Sequence, residues 1–191
     1  MNCKAKARRY VRRSRRNRLR KSSVSSTPSL RYLGLDLSLG SPGWAIIDLI
    51  DGTPHLVACG HFKTKPKQPL ALRYVDIEQQ FTQLIEMYES IHRIVRENFV
   101  SRIPDTNQKV FGAWASVDRA LITQGYEVNS RVNPLSLKKR ITGKGKAEKE
   151  DVAAAVRKLL RLPEDYKFSS SDASDACALV LYDMLEEGNI Q

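Results

Sequence analysis

A chain of 191 residues with 41% hydrophobic side chains is long enough for one domain with a real core and some appendage. No apolar run approaches bilayer-spanning length; the longest near the C-terminus is Ala176–Tyr182, which excludes a membrane-spanning protein. Three widely spaced cysteines, Cys3, Cys59 and Cys177, fit neither a disulfide framework nor a zinc site and point to a reducing compartment, with Cys59 and Cys177 as small core residues.

The net charge of +11 sits at one end of the chain. Residues 1–30 carry eleven Lys and Arg and no acid, whereas the remainder holds 21 basic and 21 acidic side chains. The stretch "ARRYVRRSRRNRLRKSS" reads as a flexible arm that neutralises phosphates, as an Arg- and Ser-rich organelle transit peptide, or as a solubilising tail. "SSVSSTPS" (Ser22–Ser29) links it to a body of residues 31–191.

The body opens with strand character over Arg31–Gly40, then a turn at "SPG", a strand over Trp44–Ile50, the turn "DGTP", and a third strand over His55–Phe62. Leu70, Tyr74, Ile77, Phe81, Leu84, Ile85 and Tyr88 recur at steps of three and four, the period of an amphipathic helix. A strand over His92–Asn98, a helix over Gln108–Tyr126 and a short strand at "EVNSRVNP" follow. A third helix runs over Lys146–Leu162, stopped by Pro163, and a last one comes from "SSSDASDACALVLYDML" (Ser169–Leu185). A three-stranded antiparallel meander followed by alternating strands and helices predicts an α/β domain with a mixed sheet flanked by helices.

Four acids stand in places where acids are expensive. Asp36 lies mid-strand between Leu35 and Leu37, and Glu97 ends "RIVRE". Asp172 and Asp175 open the last helix. Asp172 is suited to capping free N–H groups and Asp175 to the first turn, yet three-residue spacing puts both on nearly one face, where they repel. Two carboxylates about 5 Å apart repel by about 3 kcal/mol at an effective dielectric near 20, so a cluster of all four needs protons or cations. Oxygen-only ligands suit Mg²⁺ or Mn²⁺, and two such ions suit phosphodiester hydrolysis.

These residues resemble a known family. "LGLDLSLGSPGWAIID" is similar to the first motif of RuvC-type Holliday junction resolvases, "PLSLKKRITGKGKAEKEDVAAAVRKLL" to their basic third region, and "SSDASDACALVLY" to their last motif, from about Arg31 to Met184. The resemblance implies an RNase H-like fold, a homodimer, and paired nicks across a four-way DNA junction in the cytoplasm of a bacterium or a virus-infected cell, or in an organelle if the arm is a transit peptide. It assigns metal ligation, with two Mg²⁺ ions per site replaceable by Mn²⁺, to Asp36, Glu97, Asp172 and Asp175. Lys138 and Lys149 fall where the family has catalytically important lysines. A related nuclease acting on flaps, other branched DNA or structured RNA, and a non-catalytic junction-binding protein, are the competing functions.

The chain departs from the family at several points. Ser38 and Leu39 replace a Pro-Gly-like turn. Phe99 follows Glu97 by two residues where the family has an aromatic at three, and reads either as a junction wedge or as a core or loop residue. Trp114 stands in a helix that in the family carries Gln, Arg and Gly and contributes to the dimer interface.

Between Arg131 and Lys149 stand seven basic residues, Arg131, Lys138, Lys139, Arg140, Lys144, Lys146 and Lys149, against Glu148 alone, a pattern that suits phosphate contacts or a solvated loop and helix face. "TGKGKAE" is not a phosphate-binding P-loop, because no Ser or Thr follows Lys146 and no Gly stands five residues before Gly145. His55, His61 and His92 match no ligand spacing.

Overall fold

The computed structural model describes residues 29–191, so the expectations for the basic arm and its linker lie almost entirely outside the described residues. Five strands, β1 (Leu30–Asp36), β2 (Gly43–Ile50), β3 (Thr53–His61), β4 (Ile91–Glu97) and β5 (Ser130–Val132), form one sheet in the order β3-β2-β1-β4-β5. β1 to β3 make the expected antiparallel meander, while β4 and β5 add in parallel on the other side of β1. The helices are α1 (Leu70–Met87), α2 (Pro104–Ile122), α3 (Pro134–Thr142), α4 (Lys149–Leu159) and α5 (Ser171–Glu186). Among the described residues no helix is long and apolar enough to cross a membrane.

Strand alternation divides the core in two. Leu33, Leu35, Ile46 and Ile94 point to one face, where Ile77, Phe81 and Ile85 of α1 and Ala113, Val117 and Leu121 of α2 cover them. Tyr32, Ala45, Ile47 and Val95 point to the other face, covered by α5 with α3 and α4 beside it. Cys177 is buried within that second core and Cys59 half-buried at its edge.

Several boundaries differ from the sequence reading. β1 stops at Asp36, which is therefore a strand end rather than a mid-strand residue. Leu37 and Leu39 continue the apolar alternation and are buried, but in a loop. α2 starts at Pro104, four residues early, and ends at Ile122. α4 starts at Lys149, because the Asp151 carboxylate accepts from the Glu148 N–H (3.1 Å) and closes the N-terminus there. The helix α3 is additional to the elements expected from the sequence. Its ends are nevertheless written in the sequence: the Asn133 side chain accepts from the N–H groups of Leu135 and Ser136, Pro134 takes the first position, and Gly143 ends it at φ 76°.

Two glycine contacts set the distance between α5 and the sheet. A Cβ on Gly34 of β1 would lie 2.2 Å from the Ala176 carbonyl oxygen and 2.8 Å from Val180 Cγ2. A Cβ on Gly43 of β2 would meet the Asp172 carbonyl oxygen at 2.2 Å. Backbone packs directly on backbone at both points. Gly34→Ala is therefore expected to push α5 outward and to cost about 2–3 kcal/mol, as overpacking of a dense core does. Urea unfolding measures this, and a loss below about 0.5 kcal/mol would mean that α5 yields freely.

Candidate active site

The same alternation that builds the core aims the acids. Tyr32, Gly34 and Asp36 share the α5 face of β1, and Arg93, Val95 and Glu97 share it on β4. Leu35 pairs with Arg96 in the parallel register, so Asp36 and Glu97 are the next two positions and end side by side. They stand at the carboxyl ends of adjacent parallel strands, where open α/β sheets place their ligand crevices. α5 comes down over them. Its N-cap is Ser170, whose hydroxyl accepts from the Ala173 N–H (3.2 Å), so Asp172 does not cap the helix and its carboxylate is left for other partners.

Asp36, Glu97 and Asp175 line one cavity of about 450 Å³ together with Lys138, Lys149 and Phe99, over an apolar floor that includes Leu137 and Val152. Asp172 is not on its wall. The Ser41 hydroxyl donates to Asp172 Oδ2 at 2.5 Å and holds that carboxylate beside the cavity, near enough for its charge to act on Asp36. Lys149 Nζ donates to Ser171 Oγ (3.0 Å) and lies 3.7 Å from Asp175 Oδ2. Lys138 Nζ donates to the Ala147 carbonyl (2.8 Å), fastening the α3–α4 connection across the cavity. Ser41 and Ser171 carry no sequence signal that marks them as site residues; only the tertiary contact does.

Burial first, and then the acids' mutual repulsion, raise the carboxyls of this cavity. Burial, then the charges of Glu97, Asp175 and Asp172, hold the Asp36 carboxyl well above the usual range, opposed by Lys149. Burial and Asp175 push Glu97 up to about 7 against the pull of Lys149 and Lys138. Burial also raises Asp175, with Lys149 the main opposing charge. Two lysines thus leave the acids incompletely neutralised. Among the described residues no three His, Cys, Asp or Glu side chains stand close enough to grip one ion as placed. The donor set nonetheless fits a hard divalent cation: the acids offer only oxygens, and Asp36, Glu97 and Asp175 converge on one cavity.

The other basic residues separate. Lys139, Lys144 and Lys146 are exposed on α3 and the loop after it. Arg140 is tied to α5, donating to Glu186 Oε1 (2.9 Å) and to the Leu185 carbonyl (3.2 Å). Arg131 lies elsewhere, lining a depression of about 210 Å³ with Asp118 and Tyr126. Phe99 is 41% exposed on the cavity wall and not a core residue. A larger cavity, about 670 Å³, lies at the opposite end of the sheet beside Gly52 and Pro54 and has no Asp or Glu in its lining.

The sequence model of the family "Crossover junction endodeoxyribonuclease RuvC" matches residues 32–182. A curated relative of that name from Gluconobacter oxydans is 34% identical over 156 residues, 80% of this chain and 88% of the relative. The structure of Thermus thermophilus RuvC in complex with a Holliday junction substrate superposes with a TM-score of 0.73 at 24% identity, covering 83% of this chain and 94% of the other. The yeast mitochondrial Holliday junction resolvase superposes with a TM-score of 0.61 at 13% identity, over 86% and 81% of the two chains. The fold is that of these resolvases, a mixed five-stranded sheet between helices.

The raised carboxyls predict an inverted pH response. Glu97 stays protonated in the fold up to about 7, whereas in the unfolded chain it ionises near 4.5. Its stabilising share is complete below about pH 4.5 and is lost as pH rises through 7. In EDTA the protein is expected to be less stable at pH 8 than at pH 5, by up to about 3 kcal/mol from Glu97 alone. Glu97→Gln should flatten that slope in urea titrations at the two pH values. A wild-type stability that rises over this interval would contradict the raised carboxyls.

Proposed function

This chain belongs to the RuvC family of crossover junction endodeoxyribonucleases, and from that premise we propose that Asp36, Glu97, Asp172 and Asp175 form the centre that cuts phosphodiester bonds at a four-way DNA junction. The enzyme is a structure-selective endonuclease that resolves Holliday junctions. The observation that carries the residue assignment is the cavity where Asp36, Glu97 and Asp175 meet Lys138 and Lys149 at the ends of β1 and β4.

The four acids would hold two divalent ions, Mg²⁺ with Mn²⁺ able to replace it. Bound there, such ions activate water and stabilise charge on the scissile phosphate and its leaving oxygen. The chain's own residues do the positioning. Asp36 and Glu97 sit on paired strands and are the rigid half of the set. Asp175 and Asp172 arrive on α5, with Ser41 orienting Asp172. A Glu97 carboxyl near 7 gives up its proton close to neutral pH, so a cation displaces that proton at little cost. Lys149, beside Asp175 and exposed to solvent, is placed to meet a phosphate oxygen. Lys138 acts chiefly through Ala147, keeping the wall of the cavity in place.

Phosphate contacts beyond the cavity fall to Lys139, Lys144 and Lys146, and the eleven basic residues of the first thirty add a sequence-independent attraction. Arg140, half-engaged with Glu186, contributes less, and Arg131 stands apart from this surface. Phe99 at the cavity rim serves as a wedge against an unstacked base pair at the branch point. Cutting two opposed strands calls for two such sites, and a second copy of the chain would pack on α2, where the exposed Phe111 and Ile122, three helical turns apart, lie on one stripe. The bacterial relatives support a cytoplasmic place of action.

Asp36→Asn and Asp175→Asn are each expected to lower nicking of a labelled four-way junction on the order of 10³-fold while leaving junction affinity within a few-fold. EDTA should abolish cutting, and mapped nicks should fall symmetrically on opposed strands. Activity that survives EDTA, or equal cutting of flaps, duplex and RNA hairpins, would count against this reading. Lys144→Ala and Lys146→Ala should each weaken binding to all sequences alike and reduce the salt slope of log K by about 1.

A further inference from the structure

β4 is clamped from both of its faces. Toward α5, Arg93 reaches Asp183 through Nε (2.5 Å) and Nη2 (3.1 Å), and Nη2 also donates to Glu187 (2.8 Å). Toward α2, Arg96 is only 3% exposed; its Nη1 donates to Asp118 Oδ1 at 2.8 Å and its guanidinium lies 4.4 Å from the ring centroid of Trp114. Its Nε is buried without a hydrogen-bond partner among the described residues.

A buried arginine with one ion pair and an unpartnered nitrogen is a poor way to stabilise a core. Ile94, two residues back on the same face, shows that an apolar side chain packs there. What the guanidinium adds is direction: a planar fork between an aspartate and an indole holds in one orientation only. The next residue is Glu97, the last position at which β4 pairs with β5, opposite Val132. Asn98 N–H donates to the Val132 carbonyl (2.8 Å), and beyond it the chain leaves the sheet. Strand ends fray unless something holds them.

We propose that Arg96 is a positioning residue that fixes the end of β4 against Asp118 and Trp114 of α2 and thereby sets the place of the Glu97 carboxylate on the opposite face. This inference rests on the reading of Glu97 as an ion ligand. It makes the seat of α2, the helix assigned above to the second copy, part of what tunes the site.

The test uses the full chain with Arg96→Met, which keeps the aliphatic stem, and Asp118→Asn, whose side chain is half exposed. Mn²⁺ binding by calorimetry without DNA, single-turnover nicking at saturating junction and melting temperature are measured for each. Arg96→Met should lower Mn²⁺ affinity about 10-fold and nicking about 10- to 100-fold, the range found when support of a metal ligand is removed. Junction affinity should stay unchanged, and Asp118→Asn should shift the same quantities in the same direction by less. Wild-type Mn²⁺ affinity and nicking in both variants, even with a lowered melting temperature, would assign Arg96 a structural role only and overturn the proposal. If Arg96→Met does not fold, the Mn²⁺ affinity of Asp118→Asn decides. If the wild-type chain neither binds Mn²⁺ nor cuts, the ion-ligand reading fails first and this inference falls with it.

Discussion

The first turns of α5 rest on bare backbone, and the site depends on that contact. With Gly34 and Gly43 beneath it, the helix comes close enough for Asp175 to share a cavity with Asp36 and for the charge of Asp172, beside that cavity, to act on Asp36. The approach is costly, because burial and the acids' mutual repulsion both raise the carboxyls of Asp36, Glu97 and Asp175. The opposing force is the buried length of the same helix. Ala173, Ala176, Cys177, Leu179, Val180, Leu181 and Met184 are all sealed in the core, and each large apolar side chain among them contributes about 1.5–3 kcal/mol. Packing therefore wins over repulsion, and the acids remain together with their charge only partly neutralised.

The same balance gives the molecule its polarity. Further along α5, Asp183 is also buried, but it meets a bidentate arginine, so that acid is a strut. At the other end of the helix no arginine reaches Asp36, Glu97 or Asp175 among the described ion pairs, and the two lysines there are partly engaged by Ser171 and by the Ala147 carbonyl. Acids of one helix thus divide by their partners into those that hold the fold and those left to hold something else.

The sequence made the meander and the order of every element but α3 legible, because period-two and period-3.6 patterns are strong where a strand or helix has one buried face, and of the four acids it singled out, three line one cavity. It misplaced the end of β1, since Leu37 and Leu39 keep alternating after the pairing has stopped. α3 escaped notice because its apolar signal is weak: Leu137 is buried but Leu135 is 68% exposed. Its caps, Asn133-Pro134 and Gly143, were the better evidence. The basic cluster read as one surface also came apart. Charge counting cannot tell that Arg140 belongs to Glu186 or that Arg131 lies beside Asp118, because those partners are distant in the chain. Arg96 gave no sign at all; an arginine near a strand end reads as solvent-facing until a helix is seen to cover it.

The loop after β1, residues 37–42, ties that strand to α5. Ser38 Oγ accepts from the Ser41 N–H (3.0 Å), closing the bend with a side chain. The Leu39 carbonyl collects donors from Thr64 (2.6 Å) and Arg73 (3.4 Å), and Arg73 Nε donates to Thr64 in turn (2.9 Å), so the loop is tied to the segment that leads into α1. Ser41 then spends its hydroxyl on Asp172. The bend combines Gly40 and Pro42, whose carbonyls accept from the Thr64 (3.2 Å) and Phe62 (2.9 Å) backbone N–H groups, with a chain of side-chain bonds that ends on Asp172. The consequence is a division of labour among the four. Asp36 and Glu97 are held by the sheet, Asp175 and Asp172 by α5, and Ser41 of the β1–β2 loop fixes the Asp172 carboxylate, so the meeting place of the acids is set by tertiary structure rather than by any one segment.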